Sequence, residues 1–373
     1  MLYWIAPYLT ASWGPFRLFS SHLMLLAAGT LAGGIVVWLL LPRLWSRLPT
    51  DRGKSLAADG GLKSAGKPTG AGLLLALLLL PVLAVFVPMG RWEAGVVACL
   101  YASMVFGFLD DRSMCPWGEW KKGILDLVVA LAAALCLYQG QGSLLWMPFF
   151  KSTLTLPPAL YVTGAAALLW FTMNATNCSD GVDGLAGSLT LLSLFALAGF
   201  LYGVIGYRPI AEYLLIPHNP DGARWAILVA TVAGSLAGYL WHNAEPSRVL
   251  MGDAGSRLLG MLVGVAVLVA GNPFLIVVVS PVVLVNGGTG LFKLILLRTL
   301  RWAGFDVRPP QTLPQEAAAR QLAPVKMLHR IRFPLHDHCR RNLHWSNAQV
   351  LMRFVLIQAF LTPLLFVILI KIR

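Results

Sequence analysis

The chain alternates long apolar runs with short polar connections. Runs at 22–41, 71–88, 93–109, 123–141, 157–173, 185–205, 224–242, 257–272, 273–296 and 349–370 each approach the roughly 20 residues that a helix needs to cross about 30 Å of hydrocarbon. The pattern predicts an all-α integral membrane protein of about ten spanning helices. The boundary between the eighth and ninth runs rests on a turn signal, Gly271-Asn272-Pro273. Only 298–348 breaks the rhythm, with Pro309-Pro310, a Gln/Ala/Arg stretch at 315–321 and a cluster of His and Arg. It reads as a cytoplasmic loop carrying a short amphipathic helix. Residues 1–373 form a single polytopic domain in this reading, with no internal repeat of the kind that marks many transporters.

Composition agrees, at 57% hydrophobic and 12% charged residues with a mean hydropathy of +0.71. The net charge of +13 does not indicate nucleic acid, because the basic residues sit in short connections between apolar runs, where they encode orientation. The odd-numbered connections hold Arg43, Arg47, Arg52, Lys54, Lys63, Lys67, Arg112, Lys121, Lys122, Arg248 and Arg257, then Arg298, Arg301, Arg308, Arg320, Lys326, Arg330, Arg332, Arg340 and Arg341. The other side has Arg17, Arg91, Lys151, Arg208, Lys371 and Arg373. The richer side is therefore expected to be cytoplasmic, with both termini outside. Five cysteines without a C-x-x-C pair suggest free thiols rather than a disulfide framework or a zinc site. The first twenty residues lack a cleavage pattern, and Tyr3, Trp4, Tyr8 and Trp13 suit interfacial anchors.

The same odd-numbered connections carry the unusual polar groups. The third run ends in Asp110-Asp111, adjacent anions that call for a divalent metal or a positive network, unless they are a solvated helix cap. The string Asn174 to Ala186 supplies Asn174, Asn177, Asp180 and Asp183 with Gly181 and Gly184, a density suited to a sugar nucleotide or a metal phosphate. Met251 to Ser256 places Gly252 and Asp253 at a helix start whose backbone N–H groups suit a phosphate or a simple capping turn. Pro334 to His338 sets His336 and His338 around Asp337, compatible with a metal site or a surface cluster. All four groups fall on the face assigned independently by Lys and Arg.

At these residues the chain resembles the polyprenyl-phosphate N-acetylhexosamine-1-phosphate transferases, most closely their phospho-N-acetylmuramoyl-pentapeptide transferase branch. The resemblance spans nearly the full length and includes Gly66 to Thr69, Asp110-Asp111, the 174–186 string, Met251 to Ser256, Pro334 to His338 and Arg353-Phe354. It implies transfer of phospho-N-acetylmuramoyl-pentapeptide from UDP to undecaprenyl phosphate in a bacterial inner membrane, giving lipid I and UMP with Mg²⁺, and a tendency to dimerise. By motif position Asp253 and Asp111 would hold Mg²⁺, while Asp110 and Asp111 would position or deprotonate the lipid phosphate. Lys121 would bind phosphate, and His336 and His338 would contact the diphosphate or sugar. Asn177, Asp180 and Asp183 would face the nucleotide, and Asn174, Gly252 and Thr69 would also bind substrate.

The chain departs from that pattern at Asp337 inside the histidine motif, at Leu250 where an aromatic ring is expected, and at Ser64 where a lysine is expected, with Lys63 and Lys67 nearby. A Glu-Thr pair expected in the ninth run reads Asn286-Gly287. These departures bear on the donor, and a transferase for a different UDP-N-acetylhexosamine is the alternative. A transporter would place polar residues in mid-helix rather than at helix ends on one face. A non-catalytic paralogue would have no need of five aspartates.

Overall fold

A computed structural model of the chain describes residues 1–51, 64–115, 117–148, 150, 152–309, 312, 314 and 321–368. The expectations for Arg52, Lys54, Lys63, Lys151, Pro310, 315–320, Lys371 and Arg373 lie outside these residues.

Each apolar run becomes helix. The main elements are α1 His22–Leu44, α2 Ala71–Phe86, α3 Arg91–Arg112, α4 Glu119–Gln141, α5 Pro158–Ser179, α6 Leu185–Phe200, α7 Gly222–Asn243, α8 Gly252–Val269, α9 Thr289–Trp302, α10 Ala323–Arg330, α11 Leu335–Asn342 and α12 Asn347–Leu361. Among the described residues eight helical stretches are long and apolar enough to cross a bilayer, and α2 is a shorter apolar helix. The chain is an all-α multi-pass membrane protein.

The predicted ninth helix is not continuous. It runs as Leu275–Val279, Pro281–Val283 and a π-helical turn Leu284–Gly288 before α9. The helix is interrupted at Ser280-Pro281, where the proline has no N–H to continue the ladder. Ser193 of α6 satisfies a carbonyl at the break, its hydroxyl 2.7 Å from the Val279 oxygen. Gln358 of α12, fully buried, in turn donates to Ser193 Oγ at 3.1 Å and to the Leu189 carbonyl at 2.6 Å. A broken helix at membrane depth is tolerated only where protein re-satisfies its backbone in this way.

Helices α7 and α8 are buried along nearly their whole length. Apolar burial gives little drive between helices in lipid, so close backbone approach has to supply it. Helix α7 packs most extensively on α1 through facing small residues, Gly29, Gly33 and Gly34 against Thr231, Gly234, Ser235 and Gly238. A Cβ on Gly234 would collide with the backbone of Thr30. At the end remote from the aspartates, Arg224 at the start of α7 pairs with Asp221 and with Glu93 of α3, the latter at 3.7 Å.

A short antiparallel hairpin, Leu144–Trp146 with Thr153–Thr155, joins α4 to α5. Trp146 Nε1 donates to the Ala270 carbonyl at 2.7 Å, closing the end of α8. Strands of three residues are too short to leave a periodic signal, and the sequence reading places only a connection here. Among the described residues of the 298–348 segment, α10 and α11 are short helices. Val325 and Leu328 form the buried side of α10.

Substituting Gly234 with Leu is expected to force α1 from α7 at a cost of about 1–3 kcal/mol. The effect would be read as a lowered midpoint of thermal unfolding in detergent. Gly199, whose Cβ position is open, should accept Leu without such a drop.

Candidate active site

The site grows from the C-terminal end of α3. Asp110 and Asp111 are consecutive on that helix and point to different partners, which separates two charges that adjacency would otherwise set against each other. Asp111 accepts from the backbone N–H of Asp253 at 3.0 Å and of Ala254 at 3.1 Å. These belong to the first turn of α8, whose own N-cap residue, Met251, provides no side-chain cap. Asp111 therefore caps α8 from another helix, its negative charge at the positive end of the helix dipole. The sequence reading allowed a phosphate at this helix start, and two of the available donors are instead taken by Asp111. Gly252 makes the approach feasible. Its φ is +71°, and a Cβ there would strike the Asp111 carboxylate.

Asp110 faces inward to a lysine. Lys122 of α4 forms an ion pair with Asp110 and reaches Asp253 Oδ2 at 3.3 Å, while the Trp117 N–H donates to Asp110 Oδ1 at 2.8 Å. The cation facing Asp253 is thus shared with Asp110 rather than with Asp111. The resemblance implies a phosphate-binding role for Lys121. The structure places Lys121 Nζ 3.6 Å from the centroid of the Trp117 ring, and the lysine that enters the cluster is its neighbour. One residue along a helix turns the side chain by about 100°, so pattern matching one position away selects a different face.

Two residues that the motif reading left without a role extend the cluster into the bundle. Arg257, one turn after Asp253, donates to Asp253 Oδ2 at 3.3 Å and forms an ion pair with Asp126 of α4. Asp126 also accepts from Asn174 Nδ2 at 3.3 Å, and Asn174 donates to the Trp170 carbonyl at 2.9 Å. An aspartate within an otherwise apolar run was the available signal, since ionisable residues at such positions are functional by default. Asn177 Nδ2 donates to Ser256 Oγ at 3.1 Å, and Ser256 Oγ donates to the Gly252 carbonyl at 3.0 Å. Both amides of the 174–186 string are thereby fixed to the walls of the cluster.

The remaining predicted residues surround it. Asp183 accepts from the Ser247 N–H at 3.1 Å and pairs with Lys67 at 3.5 Å, and Lys67 also donates to Ser247 Oγ at 2.9 Å. Asn243 receives the Gly184 N–H at 2.9 Å. Asp180 is exposed at the end of α5. Thr69, just ahead of α2, donates its N–H to the Pro49 carbonyl at 2.8 Å.

The histidine loop reaches the site through the broken helix. Asn286 Oδ1 accepts from the backbone N–H of His336 at 2.9 Å and faces its Nδ1 at 3.1 Å. A carbonyl oxygen can only accept, so Nδ1 carries the proton and Nε2 is the free lone pair. The ring packs against Gly181, where a Cβ would collide with Nε2. Burial pushes the His336 imidazole down to about 4. His336 is accordingly an inward latch between the loop, the ninth helix and the 179–184 turn. The adjoining Gly287 lies so close to the Ala175 carbonyl that a Cβ would collide with it. His338 is half-buried, and its Nδ1 has no hydrogen-bond partner among the described residues.

No group of three His, Cys, Asp or Glu side chains among the described residues is arranged to hold a metal ion. Mg²⁺ asks less than that, since it keeps several waters and takes one or two carboxylates together with substrate phosphate. The linked cluster has four carboxylates, Asp110, Asp111, Asp126 and Asp253, against two cations, Lys122 and Arg257. The formal surplus is the charge of one divalent ion.

The model of glycosyl transferase family 4 matches residues 94–271, which contain this cluster and exclude the histidine loop. Phospho-N-acetylmuramoyl-pentapeptide-transferases from two strains of Treponema pallidum are each 41% identical over 372 residues, covering 99% of this chain and 96% of theirs. Fold and site thus define a multi-pass membrane protein with a linked carboxylate and cation cluster at one end of its helix bundle. The chain belongs to the phospho-N-acetylmuramoyl-pentapeptide-transferase family.

Two expectations follow from this geometry. Lys122→Met should lower turnover by about 10²–10³, while Lys121→Met should stay within a few-fold; a reversed order in a UMP-release assay would return the role to Lys121. An unfolded histidine gains its proton near pH 6.5, whereas His336 in the fold resists it down to about 4. Stability from this group is therefore complete above pH 6.5 and is lost as pH falls towards 4. The unfolding midpoint should drop across that window more steeply in the unaltered chain than in His336→Gln.

Proposed function

We propose that this chain transfers phospho-N-acetylmuramoyl-pentapeptide from its UDP carrier to undecaprenyl phosphate, releasing UMP and forming lipid I at the cytoplasmic face of a bacterial inner membrane. The reading rests above all on near-complete coverage by relatives of that name. The Asp110–Lys122–Asp253 arrangement at the end of a helix bundle supports it.

Phosphoryl transfer asks a protein mainly to position oxygens and balance their charge. Lys122 is poised to exchange a carboxylate for a phosphate oxygen, because both are anionic oxygen acceptors of an ammonium. Asp110 and Asp253, freed on one side by that exchange, can orient or receive a proton from the acceptor phosphate. Asp253 and Asp110 are the carboxylates that would hold Mg²⁺, in place of the Asp253 and Asp111 pair expected from the sequence, because both oxygens of Asp111 accept backbone N–H groups of α8. When bound, the ion would neutralise charge on the pyrophosphate oxygens. Asn177, Asp180, Asp183 and Thr69 belong to the nucleotide side. His338, with Arg341 about one turn further along α11, belongs to the diphosphate side. Leu250 offers no ring to stack on a base, and this favours a test of donor choice alongside the main activity.

The test is UMP release by the purified chain with undecaprenyl phosphate and Mg²⁺, comparing UDP-N-acetylmuramoyl-pentapeptide with UDP-N-acetylglucosamine. Release with the first donor alone is expected. Release with the second alone would transfer the protein to a different UDP-N-acetylhexosamine. Asp253→Asn should lower turnover by about 10²–10³ or more while leaving the unfolding midpoint within a few degrees, and full turnover in that variant would remove Asp253 from the mechanism.

A further inference from the structure

Arg257 and Asp126 form a charged pair deep in the bundle, with side chains only 5% and 1% exposed. Neither belongs to the motifs that carry the resemblance. A buried ion pair is weak evidence for stability, since desolvation offsets much of its attraction and an apolar pair of similar volume often serves as well. A task beyond stability is therefore the question to ask of it.

The geometry supplies one. The guanidinium bridges two carboxylates on different helices, Asp126 of α4 and Asp253 of α8. Asp126 is held in place by Asn174 of α5 at 3.3 Å. Asp253 Oδ2 lies 3.3 Å from both Arg257 Nη2 and Lys122 Nζ, so one oxygen is held by two cations, one from its own helix and one from α4. Arginine suits the inner position because its planar fork serves two acceptors at once and keeps its charge when buried. Lys122, 23% exposed, is the outer and more accessible partner.

We propose that Arg257, anchored by Asp126, is a positioning residue that fixes the rotamer of Asp253 and tempers its affinity for a divalent cation. A carboxylate without that inner cation binds a metal more tightly but in more than one orientation. With it, binding is weaker and the orientation single. The inference rests on the reading of Asp253 as a cation ligand, and a direct binding measurement separates the two.

The experiment uses the full chain in detergent and Mn²⁺ as the probe, followed by electron paramagnetic resonance without substrate, together with thermal unfolding and UMP release. The paired variant Asp126→Leu/Arg257→Met removes one charge of each sign and leaves none unpaired. It is expected to unfold within a few degrees of the unaltered chain, to bind Mn²⁺ about tenfold more tightly, and to turn over about tenfold more slowly at unchanged donor KM. Tighter binding with slower turnover is a combination that a merely structural role would not produce. Unchanged Mn²⁺ affinity, or affinity and turnover falling together, would overturn the proposal. Should the paired variant fail to fold, Asp126→Asn carries the test: Arg257 is then left to Asp253 alone, and Mn²⁺ binding should weaken about tenfold, with unchanged binding overturning the proposal. Asp253→Asn is the control for the underlying reading. If it binds Mn²⁺ as well as the unaltered chain, the cation assignment itself fails, whereas loss of Mn²⁺ in Asp253→Asn with no change in the paired variant rejects only the role of Arg257.

Discussion

An ammonium shared by Asp110 and Asp253 is the interaction on which the rest of this arrangement hangs. Carboxylates at a membrane boundary are costly to desolvate unless each meets a cation or several hydrogen bonds. Here Lys122 of α4 draws the end of α3 to the start of α8. Arg257 repeats the arrangement one turn deeper, drawing α4 to α8 and, through Asp126 and Asn174, to α5. Four helices that apolar packing alone would leave free to slide in lipid are thereby given one register.

Helix ends do the remaining work. The first N–H groups of α8 need acceptors, and Asp111 supplies them from across the bundle. That places the Asp253 carboxylate beside a cap that cannot move without losing two backbone bonds. On the other side the ninth helix breaks at Pro281 and widens into a π-helical turn, where Asn286 receives the latch histidine of α11. Such turns recur at functional sites because they push one side chain out of the helical pattern. The loop that carries His338 is thus tied to the bundle by this polar contact and by Leu335, Cys339 and Trp345, which join the apolar cluster around Ala175, Val282, Val283 and Leu291.

The close approach of α1 and α7 serves the same economy. Small residues let the two backbones touch where lipid offers no hydrophobic drive, and that face helps enclose α7, while α3 and α5 enclose α8. A charged site can persist at one end because the helices beneath it are rigidly packed.

The spans were legible in the sequence because a spanning helix needs about twenty apolar residues whatever it packs against, and all ten predicted runs are helical over most of their described residues. The aspartates, the asparagines and the loops that bear them were legible for a related reason, since ionisable groups are rare enough in such a chain to stand out. What the chain alone left undetermined was every pairing: which of Lys121 and Lys122 enters the cluster, that Asp111 caps a helix while Asp110 meets the cation, that His336 turns inward to Asn286, and that Asp126 and Arg257 are partners 131 residues apart. The break in the ninth helix likewise depended on Ser193 arriving from α6. Partition between water and lipid is a property of a segment, so it is written along the chain. The choice of partner for a buried charge depends on which helix faces it, and that is decided only when the bundle is packed.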